Sequence, residues 1–309
     1  MKDVLSDVLD SVNLQGTLYF RTDFSPPFAN SIPAYKQAAR FHLVVQGQCH
    51  VTIPSGETAL LRPGDLILVP NGNAHVLADA ANRIPASLET VMATAGYSGA
   101  GTFVVGTGDP TASTQLVCGH FTFAEGIEHP LLRSLPTIIH LTAGDRANRP
   151  LLDDILRLIT RRMFNETPGQ AASVSRLSEV LYIEALLACA DYDPELKLML
   201  SAVTDRQIGR ALSLIHHQIG RDWTVGTLAS EAGMSRSRFA ERFRELVGTS
   251  PIEYISNWRL QRAQLLLSEP RASVKEIAYK IGYKSPAAFS RAFSRKFGRP
   301  PATQKIKTG

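Results

Sequence analysis

The C-terminal third of the chain repeats itself, and that repeat limits the fold more than any other feature. Val225, Leu228, Ala229 and Ala232 fall at i, i+3, i+4 and i+7 and run into Gly233-Met234-Ser235. Val274, Ile277, Ala278 and Ile281 do the same and run into Gly282-Tyr283-Lys284-Ser285. Apolar residues at that spacing make one stripe along a helix. Thr224 and Ser273 stand where each helix needs a cap, and Glu276 three residues after Ser273 completes a capping box in the second copy. Gly233 and Gly282 sit where a helix stops in a left-handed turn, and Ser235 and Ser285 cap the next helix of each copy. Those second helices bury Phe239, Phe243 and Leu246 in one copy and Phe289, Phe293 and Phe297 in the other. Two helices joined by a glycine turn, the second polar and basic on its open face, describe a helix-turn-helix unit.

Ser250 and Pro251 open a connecting helix through Ile255, Trp258, Ala263 and Leu266. Its ~18 residues span roughly 27 Å at 1.5 Å per residue. With the width of the flanking helices added, the two units reach successive major grooves about 34 Å apart. The charge agrees. Residues 206–309 carry 19 Lys and Arg against 7 Asp and Glu, while residues 1–205 carry 14 against 21. A basic end on an otherwise acidic chain points to a polyanion partner. A helical bundle with a solvated basic surface is the plainer alternative, and the repeat and turn glycines count against it.

The first 125 residues obey another rule. Short β-rich runs, Phe41–Val45, Val51–Ile53, Thr58–Leu61, Leu66–Val69 and Gln115–Cys118, are cut by Gly47, Pro54-Ser55-Gly56, Pro63-Gly64 and Pro70-Asn71-Gly72. Strands this short and close predict a small barrel or sandwich. The glycines at 99, 101, 106 and 108 lack a strand-to-helix frame and read as loop, not as a phosphate cradle. From Pro150 the period turns helical. Leu151, Ile155, Leu158, Ile159 and Met163 form one stripe and Val174, Leu177, Leu181, Ala185 and Ala188 a second, with Thr167-Pro168-Gly169 between them. These predict an antiparallel helix pair that caps the barrel, joins two subunits, or does both.

Residues 206–302 closely resemble the DNA-binding domain of AraC-type transcriptional regulators. The stretches that carry the likeness are WTVGTLASEAGMSRSRFAERFRELVGTSPIEYI and RLQRAQLLLSEPRASVKEIAYKIGYKSPAAFSRAFSRKFGRPP. The resemblance implies a DNA-facing set of Arg236, Ser237, Arg238, Glu241 and Arg242 on the first recognition helix. On the second it implies Pro286, Ala287, Ser290, Arg291 and Arg295. By position Ser237 and Glu241 face bases in the first half-site, and Arg291 with Pro286, Ala287 and Ser290 in the second. Arginine reads guanine with two hydrogen bonds. Glu241 departs from the basic or amide residue usual there, although a carboxylate accepts from cytosine.

Gly64-Asp65-Leu66-Ile67-Leu68-Val69-Pro70-Asn71-Gly72-Asn73-Ala74-His75 is similar to the second motif of cupin barrels, which ends PxGxxH. Residues 1–125, with the fragments FHLVVQGQC and LVCGHFTF, resemble the cupin-type sensor that precedes some AraC-type DNA-binding domains. The first cupin motif is degraded. Its two histidines would fall near Ala34 and Lys36 and its glutamate near Arg40, so an intact cupin enzyme site is not present. By strand alternation His42 shares a face with Arg40, His75 ends the second motif, and Cys118 and His120 share a face of a later strand. Imidazole and thiolate suit Zn²⁺, and four such ligands would close a tetrahedral site. The same residues equally read as hydrogen-bonded core histidines and a small buried thiol.

The fold class expected is α+β: residues 1–130 a cupin-like β-barrel that senses an effector, 131–204 a helical dimerisation and connector segment, and 205–309 an all-α domain of two helix-turn-helix units joined by a long helix. The function expected is a one-component transcriptional regulator, not an enzyme, whose binding to double-stranded promoter DNA responds to a small molecule, metal or oxidant. A homodimer, RNA polymerase as a partner for an activator, and zinc as the cofactor complete the expectation. Widely spaced Cys49, Cys118 and Cys189 give no disulfide framework, the acidic amphipathic N-terminus is no signal peptide, and no apolar run reaches membrane length, which together suggest the cytoplasm and no membrane. A cupin metalloenzyme with a DNA-binding tail is one rival, disfavoured by the missing first-motif histidines. An architectural DNA-bending protein is another, disfavoured by the mixed polar side chains of the recognition helices.

Overall fold

The computed structural model describes residues 3–35, 37–99, 101–106, 110–123, 129–165, 167–267 and 273–304. Lys36 and Gly108 lie outside the described residues. Two compact units emerge, and neither is one continuous stretch. One holds residues 14–123 and 135–193; the other holds 1–13, 124–134 and 194–309.

The first unit contains eleven strands: β1 (Gln15–Phe24), β2 (Ala29–Ile32), β3 (Ala38–Gln46), β4 (Cys49–Thr52), β5 (Thr58–Leu61), β6 (Leu66–Val69), β7 (His75–Ala78), β8 (Ala86–Ser87), β9 (Thr102–Val105), β10 (Thr114–Thr122) and β11 (Ile139–Leu141). They form a six-stranded sheet, β11-β6-β3-β10-β1-β9, and a five-stranded one, β5-β4-β7-β2-β8. The closed barrel expected from the sequence is therefore two sheets. No ladder joins their edge strands among the described residues, so the sheets are held by side chains and not by a backbone ladder. Val44, Ile67, Leu116, Cys118 and Phe103 from one sheet meet Cys49, Val51, Leu61, Leu77 and Ile32 from the other in one buried cluster. Gly72 shows why the PxGxxH turn needs glycine. Its φ is +63°, and a Cβ there would collide with the carbonyl oxygens of Tyr35 and Ala38.

The second unit begins with α1 (Val4–Val12), which Asp3 caps through a hydrogen bond from the Ser6 N–H. In the first unit α2 (Leu88–Thr94) comes directly after β8. Next come α3 (Pro130–Arg133) in the second unit and α4 (Ala143–Ala147), α5 (Pro150–Phe164) and α6 (Gln170–Cys189) in the first. The remaining helices all belong to the second unit: α7 (Pro194–Thr204), α8 (Ile208–His217), α9 (Val225–Glu231), α10 (Arg236–Val247), α11 (Pro251–Leu267), α12 (Val274–Lys280) and α13 (Pro286–Phe297).

The helix pair α5 and α6 covers the outer face of the larger sheet. Tyr182 packs on Phe121 with ring centroids 5.2 Å apart, and Ser175 Oγ donates to the Gly16 carbonyl at 3.0 Å. Val174, Leu181, Ala185 and Ala188 are consequently buried core. The apolar residues left open on the pair are Leu151, Leu158, Phe164 and Val180.

Candidate functional site

The helix-turn-helix units form as their caps dictate. Ser235 accepts from the Arg238 N–H and Ser285 from the Ala288 N–H, and Gly233 and Gly282 adopt φ +66° and +86°. Thr224 and Thr227 cap each other reciprocally. At Ser273 only the hydroxyl arm forms, toward the Glu276 N–H, so the capping box expected in the second copy closes in the first instead.

With Phe239, Phe243, Phe289 and Phe293 fully buried, the opposite faces of α10 and α13 are fixed by helical period. Arg236, Ser237, Arg238 and Glu241 are exposed on α10; Ala287, Arg291 and Arg295 are exposed on α13, with Pro286 and Ser290 half-buried beside them. Arg242 stands apart from this set. Its guanidinium is tied to Asp205, the Nη2 atom at 2.5 Å and the Nε atom at 3.2 Å. The other Asp205 carboxylate oxygen accepts the Gln207 and Ile208 N–H groups at the start of α8. Arg242 thus joins α10 to α8; burial pushes the Asp205 carboxyl up, and the Ile208 N–H followed by Arg242 outweigh it and hold the group below its usual range.

A residue that sequence reasoning passed over couples the two helix-turn-helix units. Arg259, half-buried on α11, donates from Nε to the Ile219 carbonyl at 3.0 Å, from Nη2 to that of Arg221 at 2.7 Å, and from Nη1 to that of Gly282 at 3.3 Å. One planar fork therefore binds the loop before α9 and the turn of the second helix-turn-helix. Gly282 leaves it room, since a Cβ there would stand 2.6 Å from Nη2.

The second unit also holds a buried polar chain. The Leu131 N–H donates to His129 Nδ1 at 3.2 Å, which leaves His129 Nε2–H to donate to the Tyr254 oxygen at 3.1 Å. The Tyr254 hydroxyl then donates to His216 Nε2 at 2.7 Å, and His216 Nδ1 lies 3.5 Å from the Asp7 carboxylate. The His216 ring stacks on Trp258 at 3.8 Å. The adjacent pair His216-His217 splits as a helix requires, with side chains 1% and 37% exposed. His129 finds its partner in Tyr254, 125 positions away, which spacing along the sequence cannot reveal.

In the sandwich, the register sets Phe20, Cys118, His42 and Ile67 side by side across β1, β10, β3 and β6. His75 Nδ1–H donates to the Asn73 carbonyl at 3.0 Å, so its Nε2 accepts. His42 Nε2–H supplies that bond at 2.8 Å, and His42 Nδ1, 3.1 Å from Cys118 Sγ, accepts the thiol proton. Every polar hydrogen has a place in this neutral relay. Burial pushes the Cys118 thiol well up and holds His42 well below and His75 at about 4.

Three of the four residues considered for zinc thus come together, and His120 lies two residues along on the same face. They do not converge. His75 and Cys118 touch opposite edges of the His42 ring, whereas an ion needs Zn–N near 2.0–2.1 Å and Zn–S near 2.3 Å around one point. No group of three or more His, Cys, Asp or Glu among the described residues is arranged to hold a metal. The residues as placed do not fit a zinc centre.

Exposed basic recognition helices on a tandem helix-turn-helix, preceded by a cupin-like sandwich, define a DNA-binding transcriptional regulator. A family model described as cupin matches residues 3–191, and one described as a helix-turn-helix domain matches residues 228–305. The chain is 30% identical over 311 residues to the HTH-type transcriptional regulator AlkR of Acinetobacter baylyi, covering 97% of each. It is 29% identical over 267 residues to an AraC-like transcription regulator of Streptomyces antibioticus, covering 86% of each. It is also 28% identical over 260 residues to the RCS-specific HTH-type transcriptional activator RclR of Escherichia coli, covering 84% of this chain and 81% of that one. The chain belongs to the AraC-type transcriptional regulators. Among the described residues no helix is long and apolar enough to cross a membrane.

Proposed function

We propose that the protein is a one-component, non-enzymatic regulator whose promoter binding responds to a signal received inside the sandwich. The observation that carries the DNA half is the pair of capped helices α10 and α13, with Arg236, Arg238, Arg291 and Arg295 exposed on their open faces. Arginine forks on recognition helices suit guanine edges and phosphates. Of the signals left open by the sequence, a small molecule suits the interior best. The Cys118 thiol is 2% exposed and protonated, a poor nucleophile toward an oxidant, and the histidines do not surround an ion.

Leu151 and Leu158, 57% and 43% exposed and seven positions apart on α5, give a homodimer an apolar seam. The Val174–Ala188 stripe of α6 lies against the sheet. A dimer bound at paired promoter sites in the cytoplasm presents its remaining surface to RNA polymerase, as an activator does. The test is selection of binding sites from random duplexes by the intact chain. A defined two-part site is expected, and enrichment of bent or A·T-rich DNA without base preference would overturn it.

A further inference from the structure

Arg40 is the unusual residue of the sandwich interior. It lies two positions before His42 on β3, so the two share the inner face. The register places it beside His120 of β10 on one side and Val69 of β6 on the other, one rung from Cys118 and His42. A guanidinium does not deprotonate in proteins. Across these two rungs it is the only charged group, since the thiol and histidines are neutral. No carboxylate pairs with Arg40 among the described residues; its partner is Tyr35, whose ring lies 4.4 Å from the guanidinium carbon and whose side chain is 54% exposed. A neutral phenol accepts one N–H at most and balances no charge, so most of the fork stays open. A half-buried ion without a counter-charge is an unfavourable arrangement that an anion would correct.

The surroundings say what kind of anion. Phe20, in the same rung as Cys118, is half-buried, as are His120 and Tyr97, whereas Cys118, His42 and His75 beneath them are closed off. The inner face is thus open at this end. Tyr97 stacks on Phe103 at 4.7 Å and stands 6.4 Å from Phe20. Aromatic walls with one planar cationic fork describe a site for an apolar body with a single acidic head. A dianion would want a second cation, and these rungs offer none.

We propose that Arg40 anchors the carboxylate of a monocarboxylate effector whose apolar body lies against Phe20 and Tyr97. This rests on the reading of the sandwich as a sensor and gives that sensor a ligand class. The guanidinium meets the two carboxylate oxygens, and the His120 ring lines the same end. Binding would tie β3 to the loop that carries Tyr97.

Calorimetry on the intact chain, with benzoate and its neutral isostere benzamide as probes, tests the assignment. Benzoate is expected to bind about tenfold or more tightly than benzamide, a difference of about 1.4 kcal/mol. Arg40→Gln should erase the preference and Arg40→Lys should keep part of it. Equal binding of acid and amide, a preference that survives Arg40→Gln, or no binding of benzoate at millimolar concentration would each overturn the site. If Arg40→Gln does not fold by circular dichroism, the acid–amide comparison on the wild type and on Arg40→Lys decides. Promoter affinity measured with and without benzoate separates the two layers. Arg40-dependent binding with unchanged promoter affinity leaves the anion site standing and removes the sensor reading.

Discussion

Replacing Arg259 should change what the protein recognises more than how tightly it folds. Its guanidinium makes three hydrogen bonds to backbone carbonyls, two in the loop 219–221 and one at Gly282. Charge-assisted bonds contribute about 1.5–3 kcal/mol each when a partner is removed. The site is half-buried and water can reach some of the freed carbonyls, so Arg259→Ala is expected to cost about 3 kcal/mol in all. Lysine offers one point charge in place of a fork and serves one of the three carbonyls, so Arg259→Lys should recover only part of this. The second consequence is geometric. With the fork gone, α11 and the packing around Phe289 and Phe293 still hold the second helix-turn-helix, but its orientation to the first loses its tie. If the accessible orientations widen about tenfold, affinity for the correctly spaced two-part site falls by about 1.4 kcal/mol, while each half-site alone is bound as before. The assay is gel shift on duplexes in which the half-sites are moved apart in single base-pair steps. The wild type should show a sharp optimum and a deep minimum about half a helical turn away. Arg259→Ala should flatten that profile. An unchanged profile in a destabilised but folded variant would refute the coupling and leave Arg259 as a stabilising residue only.

The same contacts set other outcomes. Arg291→Ala should cost about 1–3 kcal/mol at the specific site and relax selection at one base pair, whereas a loss uniform over all sequences would make Arg291 a phosphate contact. Burial holds His75 at about 4 and His129 at about 3 against an ordinary 6.5, so both are neutral in the fold and take up protons once unfolded. Their contribution is complete above pH 6.5 and is lost as pH falls toward the folded values, about 2 kcal/mol each by pH 5. Urea denaturation across that range measures it, and a stability flat from pH 7 to about 5 would contradict the buried neutral histidines. Elemental analysis should find far less than one zinc per chain; one zinc per chain that disappears in His75→Ala would show that His42 turns to ligate and that the relay is not the resting state. Leu158→Glu should yield a folded monomer by ultracentrifugation if α5 forms the subunit seam.

How much the sequence revealed depended on how local each signal is. The recognition helices were readable residue by residue, because caps, turn glycines and apolar stripes all act within a few positions of one another. The strands at β3, β5, β6 and β10 were readable for the same reason, as each is an apolar run between turn residues. β1, with Arg21 and Asp23 among its apolar residues, and the four-residue β2 carry no such run. They exist because β10 and β7 supply partners tens of residues away. Alternation placed His42 on one face with Arg40 and Cys118 on one face with His120, but the direction of the His42 ring was not readable, and that direction separates a relay from a metal centre. Arg242 looked free to meet DNA until Asp205, 37 positions earlier, came into view. Arg259 and Tyr254 act through partners in other elements, which no spacing rule detects.

The first helix of the chain also imposes an order of events on synthesis. Asp7 of α1 lies against His216 of α8, and the polar chain it closes runs through Tyr254 of α11. During synthesis α1 leaves the ribosome first, at ~5–20 residues per second, and its partners appear only after some two hundred more residues. The sandwich strands are translated in between and can pair as they emerge. An apolar stripe of Val4, Val8 and Val12 must therefore stay soluble while the rest of the chain is made. A late event in folding then becomes the docking of α1 on α8 and α11, and a truncated product ending before Tyr254 never completes the unit that meets DNA. Synthesis thus carries its own check: only a chain translated through α11 can seat its first helix.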